Sequence, residues 1–305
     1  GINDLWLREA RLFKYGSGSG TNFSALRGKG EPLSGGGVSS GVLSFLKVGD
    51  ASAGAIQSGG TTRRAAKMVC LDIDHPDIAA FIEWKAREER KVAALVTGSR
   101  LHRWHLRRVW EASFLGESEL EKALHLAREA QVLEPYLAAT LECAKRADPP
   151  PEFPELDADW RHEAYQSVSG QNSNNSVVVS DAFLKAVHEK KPWPLKRRSD
   201  GKEAGQVPAR ALWNQIARAA WECADPGLHF GTAINAWHTC SNDGPIQASN
   251  PCSEYFFLED TGCNLASLNL LRFYDPATAQ FQEASFRQAI RLWVVTLEIS
   301  VTMAG

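Results

Sequence analysis

The chain has 305 residues, 44% hydrophobic and 23% charged, with a formal net charge of −2. That length buries a substantial core, as one large domain or two smaller ones. The near-neutral charge offers no electrostatic footprint for nucleic acid or an anionic membrane surface, and the apolar run Leu292 to Met303 is interrupted by Glu298 and too short to span a bilayer.

Residues 2–14 set Leu5, Leu12 and Phe13 among charges, which predicts the end of a helix; no signal peptide is expected. Gly16 to Gly60 holds 13 of the 24 glycines, and within it Val42 to Ile56 predicts a helix. Ala65 to Ile73 is apolar enough for a buried strand, after which His75-Pro76-Asp77 opens a helix with proline near its first turn. Residues 78–148, rich in Ala, Leu, Glu, Arg and Lys, read as helical until Pro149-Pro150-Pro151 breaks the run. Ser176 to Val179 predicts a second strand and Ser180 to His188 its helix. Lys190 to Gly205 reads as a basic, loop-like connection and Ala209 to Glu222 as another helix. The tail, Phe286 to Met303, places Ile290, Trp293, Val294, Leu297 and Val301 at helical spacing. Strands followed by helices predict an α/β fold.

Six cysteines (Cys70, Cys143, Cys223, Cys240, Cys252 and Cys263) are scattered without a C-x-x-C pair. This favours a reducing cytosol over a disulfide framework, and no metal site is expected. Cys143 and Cys223 fall in helical stretches and read as small hydrophobes. His75 reads as a cap or packing residue, and His102, Arg103, His105, Arg107 and Arg108 as a solvated basic face. The glycine-rich segments would let a backbone approach phosphate, with Arg27, Lys29, Arg63 and Arg64 supplying charge. Gly-Ser-Gly-Ser-Gly-Thr nonetheless lacks the Gly-Lys-Ser/Thr ending of a phosphate loop and follows a helix-like segment. Phosphate binding and plain tight turns both remain open.

The densest chemistry lies in Ser249-Asn-Pro-Cys-Ser-Glu-Tyr255. An extended backbone alternates its side chains, so Asn250, Cys252 and Glu254 are expected on one face. Together they supply an amide, a sulfur able to act as nucleophile or radical, and a base. Cys263 follows eleven residues after Cys252.

Tyr15–Leu26, Ser34–Gly37, Gly59–Met68 with His75-Pro76-Asp77-Ile78, Gly170–Val177 and Trp237–Leu270 resemble, in order, the large chain of ribonucleotide reductases. The nearest resemblance is to the adenosylcobalamin-dependent class II enzymes. His238-Thr239-Cys240, Asn242-Asp243-Gly244-Pro245-Ile246 and Asn250-Pro251-Cys252-Ser253-Glu254 carry it most specifically, and residues 99–160 least. The resemblance implies a ten-stranded α/β barrel of two antiparallel halves, each of five parallel strands, with the radical cysteine on a central finger loop. Residues 1–305 would form part of that catalytic barrel domain, incomplete at both ends, with the effector loops within residues 1–70 and a helical segment at 99–160.

By the same resemblance, Cys252 becomes a transient thiyl radical that abstracts the 3′-hydrogen of a ribonucleotide. Glu254 takes the 3′-hydroxyl proton, Asn250 holds the substrate hydroxyls, and Cys263 is one of two thiols that end as a disulfide when the 2′-hydroxyl leaves as water. The cofactor implied is adenosylcobalamin, which supplies the radical by cobalt–carbon cleavage. Arg27, Ser58, Gly59, Gly60 and Arg63 correspond to a specificity site near a dimer interface, where a deoxynucleotide effector selects the base. The implied partners are a ribonucleotide substrate, that effector, a thioredoxin-like reductant, the rest of the reductase chain and a second copy in a homodimer, in the cytoplasm. Gln171 to Ser176 is expected close to the active site. The second redox thiol is expected upstream of residue 1, and the substrate-phosphate loop and a C-terminal cysteine pair downstream of residue 305. Cys70 occupies a position the family does not use catalytically. The chain is therefore expected to be the middle of a longer protein and inactive alone. The alternatives are a segment of a class I reductase, or a noncatalytic nucleotide-binding or assembly piece.

Overall fold

A computed structural model describes residues 1–56 and 65–303. It divides into two compact units, Gly1–Phe256 and Phe257–Gly305.

The first unit opens with α1 (Ile2–Lys14), β1 (Gly18–Asn22), α2 (Val42–Ala55), β2 (Ala66–Asp72) and α3 (Ile78–Ile82). A helical stretch follows: α4 (Trp84–Ala112), α5 (Glu117–Glu129), α6 (Glu134–Lys145) and α7 (Glu163–Gln166). Next come β3 (Asn174–Val179), α8 (Asp181–His188), β4 (Pro192–Lys196), β5 (Glu203–Pro208), α9 (Ala209–Cys223), β6 (Gly227–Phe230) and α10 (Gly231–Ala236). The second unit carries the short hairpin β7 (Tyr274–Asp275) and β8 (Gln280–Phe281), then α11 (Glu283–Met303).

Strands β1, β2, β3 and β6 form one parallel sheet in that order. Its two faces differ in chemistry because alternate residues point to opposite sides. Val69 and Leu71 of β2, with Val177 and Val179 of β3, bury one face against Val42 and Leu46 of α2, Phe81 and Ile82 of α3, Phe183 of α8, and Leu212 and Ile216 of α9. Helices cover this face of the parallel sheet, an α/β arrangement. The register puts Gly18, Gly20 and Asn22 beside Ala66, Met68 and Cys70, then Ser176, and finally Gly227 and His229 on the opposite face. That face is small and polar, and it carries the site.

Three expectations from the sequence change. The glycine-rich run Gly18–Asn22 is a strand rather than a set of tight turns: with no apolar pattern of its own, it is ordered by pairing with β2. Lys190–Gly205 is mostly a hairpin, β4 against β5, with Trp193 pinned through its indole N–H to the Ile73 carbonyl at 3.2 Å. On α4 the arginines are exposed, but His105 is buried and His102 stacks on Phe153 at 3.9 Å, so the face is basic only at its rim. Burial lowers the pKa of both histidines. The helices expected at residues 2–14, 42–56, 78–148, 180–188, 209–222 and 286–303 and the strands β2 and β3 form, whereas α7, α10 and β6 have no signal in the periodicity. Ser180 caps α8 by accepting the Phe183 amide at 3.3 Å. His75, fully buried, fixes the Leu26 carbonyl through Nε2 at 2.8 Å and accepts the Asp77 amide at Nδ1.

Under the sheet, Lys67 and Glu9 form a buried ion pair, 1% and 3% exposed, with Trp6 stacked 4.2 Å from the ammonium and Ser19 donating to Glu9 at 2.9 Å. Burial pulls the lysine's pKa down, while Glu9 and Asp50 push it up. Lys67→Met leaves Glu9 charged and dry, so a loss of about 3–5 kcal/mol is expected, read from the urea midpoint. The double replacement Glu9→Leu/Lys67→Met should recover most of it; no recovery would show that the pair is not the cause.

In the second unit, Phe286 packs edge to face on Phe273 and Phe281, which tilt against each other at the hairpin, and Asn264 donates to Ser300 at 2.9 Å. The apolar positions of α11, including Ile290, Trp293, Val294 and Val301, are exposed in this unit.

Candidate active site

The polar face of the sheet is covered by the segment Gln247–Ser253. Asn22 donates to the Gln247 carbonyl at 3.1 Å, and Asn174 of β3 donates to the Pro251 carbonyl at 2.8 Å. Close approach is possible because β1 has no side chains there. A Cβ on Gly20 would lie 1.7 Å from the Ser249 carbonyl oxygen, and one on Gly18 would lie 2.7 Å from Pro251 Cγ. The glycines thus serve to seat this loop, a role invisible in the local sequence.

Cys252 is exposed at the crest of the loop. The expected extended arrangement, with Asn250, Cys252 and Glu254 on one face, is not what forms. The Ser253 amide donates back to the Asn250 carbonyl at 3.1 Å, Ser253 takes φ 62°, and the chain folds into a turn. Asn250 closes it: its Oδ1 accepts the Tyr255 amide at 3.0 Å, and its own amide donates to the Tyr255 carbonyl at 3.3 Å. The period-two argument fails here because Pro251 and the left-handed Ser253 break the alternation. Glu254 is exposed just beyond the turn.

The Gln171–Ser176 segment reaches this loop through Asn174. It is held from below by Asp50, which accepts the amides of Gly170 at 2.7 Å and Asn172 at 2.8 Å, and by Lys85, which binds the Ser173 carbonyl and Asp225. A cleft of about 200 Å³ opens here, lined by Lys85, Gln171, Asn172 and Asn174 among others.

Beneath the turn lies a buried group that the motif reading missed. Cys70 of β2 contacts His229 of β6 at 3.5 Å, and the other ring nitrogen of His229 faces Ser253 at 3.3 Å and Ser249 at 3.4 Å. Burial pushes the Cys70 thiol up to about 12, so it stays protonated, and burial lowers the pKa of His229, which favours the neutral ring.

Cys263 is exposed in the second unit. Arg27 is half-buried after β1, its carbonyl accepting the Ser39 hydroxyl at 3.2 Å. Ser58, Gly59, Gly60 and Arg63 lie outside the described residues. All six cysteines are free thiols. No helix among the described residues is long and apolar enough to cross a membrane.

The family model for the barrel domain of ribonucleotide reductase matches residues 1–305. The chain belongs to that family. The reductase barrel is similar to proteins named vitamin B12-dependent ribonucleotide reductase in Agrobacterium fabrum, at 55% identity over 316 residues, covering 100% of this chain and 25% of the relative. It is similar to one of the same name in Streptomyces clavuligerus, at 39% identity over 99% of the chain and 26% of the relative. It also resembles a vitamin B12-dependent ribonucleoside-diphosphate reductase of Mycobacterium tuberculosis, at 30% identity over 86% of the chain and 27% of the relative. The reductase barrel segment described here thus spans about a quarter of the length of the curated relatives it matches.

Proposed function

We propose that this chain is the part of a cobalamin-dependent ribonucleotide reductase that carries the radical cysteine. The observation that supports this reading most is the Cys252 turn, seated across the polar face of a parallel sheet through a gap left by Gly18 and Gly20. A thiol exposed at the crest of an anchored turn fits a cofactor that meets it from outside the sheet. Bound adenosylcobalamin supplies the radical by homolysis of its cobalt–carbon bond.

The residues of this chain do the rest. Cys252 exchanges one hydrogen atom with the 3′ carbon of the ribonucleotide. Glu254, accessible to solvent in this segment, accepts the 3′-hydroxyl proton as general base. With Oδ1 of Asn250 committed to the Tyr255 amide, its Nδ2 is the group left to orient a substrate hydroxyl. The 2′-hydroxyl departs as water, and two thiols, Cys263 and one outside this chain, deliver two electrons and become a disulfide. The shielding that a carbon radical needs comes from the rest of the reductase, which also supplies the clamp for the substrate phosphates. Arg27, with Ser58, Gly59, Gly60 and Arg63, belongs to a site for a deoxynucleotide effector at a homodimer interface. A thioredoxin-like protein re-reduces the disulfide in the cytoplasm.

The test compares the complete reductase with the 305-residue chain. Given adenosylcobalamin, a ribonucleotide and a dithiol, the complete protein is expected to form deoxyribonucleotide and the isolated chain none. Turnover by the isolated chain overturns the partial-barrel reading. Reduction by the complete protein that needs a separate radical-generating subunit in place of cobalamin moves the chain to class I. Deoxynucleotide binding without turnover, even in the complete protein, leaves a noncatalytic nucleotide-binding piece.

A further inference from the structure

The turn after Cys252 is strained, and its support comes from a residue that the proposed chemistry does not use. Ser253 holds φ 62°, a left-handed conformation that a serine adopts only when its surroundings impose it. Those surroundings are the ring of His229 and the hydroxyl of Ser249. His229 Nε2 lies 3.3 Å from Ser253 Oγ and 3.4 Å from Ser249 Oγ, and the two hydroxyls are 3.1 Å apart. The Ser249 hydroxyl also reaches the Asn250 carbonyl at 2.9 Å. On the other side of the ring, Nδ1 contacts Cys70 Sγ at 3.5 Å, and Phe256 packs edge-on at 4.9 Å.

The cluster is buried. His229 is 4% exposed, Ser249 5% and Cys70 0%. Burial keeps the Cys70 thiol protonated and favours the neutral His229 ring, which bridges Cys70 at Nδ1 and the two serine hydroxyls at Nε2. A single ring nitrogen at the sheet floor thereby faces both hydroxyls that bracket Asn250, Pro251 and Cys252.

We propose that His229 is a positioning residue for Cys252: anchored by Cys70, it holds Ser249 and Ser253 and so sets where the Cys252 sulfur points. This rests on the reading of Cys252 as the radical site, but the anchor itself can be tested without that chemistry. In the complete reductase free of cofactor, His229→Leu is expected to speed hydrogen exchange at the Ser253 and Tyr255 amides about tenfold, the scale of one lost hydrogen bond. With cofactor and ribonucleotide, the same variant should lower kcat about 10- to 100-fold while KM stays within about twofold, because a misaimed sulfur costs rate and not binding. His229→Gln restores a hydrogen-bonding group toward the serines and should recover most of both effects.

If His229→Leu does not fold, Ser253→Ala removes the same contact from the solvent side and should reproduce the faster exchange. Unchanged exchange at residues 250–255 in Ser253→Ala or His229→Leu overturns the proposal. So does a His229→Gln protein as impaired as His229→Leu. Failure of the underlying reading shows differently: Cys252→Ser would keep its turnover while the exchange results stood.

Discussion

Cys252→Ser in the complete reductase is expected to abolish ribonucleotide reduction, lowering turnover by at least about 10⁴-fold, while the protein stays folded. Serine matches the cysteine in size, and Cys252 is exposed at the crest of its turn, so the exchange removes no packing. It removes a weak S–H bond and puts a strong O–H bond in its place, which cannot yield a usable radical under the same driving force. A loss of 10⁴ corresponds to about 5.5 kcal/mol in the barrier. The assay is deoxyribonucleotide formation with adenosylcobalamin and a dithiol, accompanied by the cobalt(II) signal coupled to a cysteine radical, which should vanish. The unfolding midpoint should match wild type. A Cys252→Ser enzyme that still turns over would take the radical role away from this residue.

The second large effect is expected at a residue with no chemistry. Gly20→Ala places a methyl 1.7 Å from the Ser249 carbonyl oxygen and 2.8 Å from its carbon. Both atoms belong to backbone, so no side chain can swing aside, and the loop must lift by more than an ångström. Overpacking of this kind costs roughly 1–3 kcal/mol of stability. The larger consequence is for turnover, since a displacement of about 1 Å at a reacting group costs on the order of 100-fold. Gly98→Ala is the control: it lies inside α4, nothing would come within 4 Å of its new Cβ, and it should leave activity unchanged and add up to about 1 kcal/mol of stability. Wild-type rates in Gly20→Ala would show that the Cys252 loop is not seated on β1.

Much of this architecture was legible from local pattern. The apolar runs Ala65–Ile73 and Ser176–Val179 announced the strands β2 and β3, and the spacing of Leu, Ala and charged residues placed the main helices that cover them. Asn250, Cys252, Glu254 and Cys263 stood out by residue type and through a family resemblance. Strand β1 was hidden because Gly-Ser-Gly-Thr-Asn carries no alternation; its conformation is imposed by the partner strand running from Ala66 to Cys70. The β4–β5 hairpin was hidden by prolines and basic residues that read as loop. The Cys252 segment was misread as extended because one positive φ at Ser253 cancels the period-two rule.

The sequence alone determined the main helices, the strands β2 and β3 and the chemical groups: local periodicity selects helix or strand there, and thiol, carboxylate and amide are properties of single residues. Tertiary structure decided how the groups are presented. Cys70 and His229 are 159 residues apart, and Gly20 meets Ser249 only across the sheet. Contacts of that range leave no trace in local periodicity; they exist only once the strands have paired and the loop has settled on the face they share.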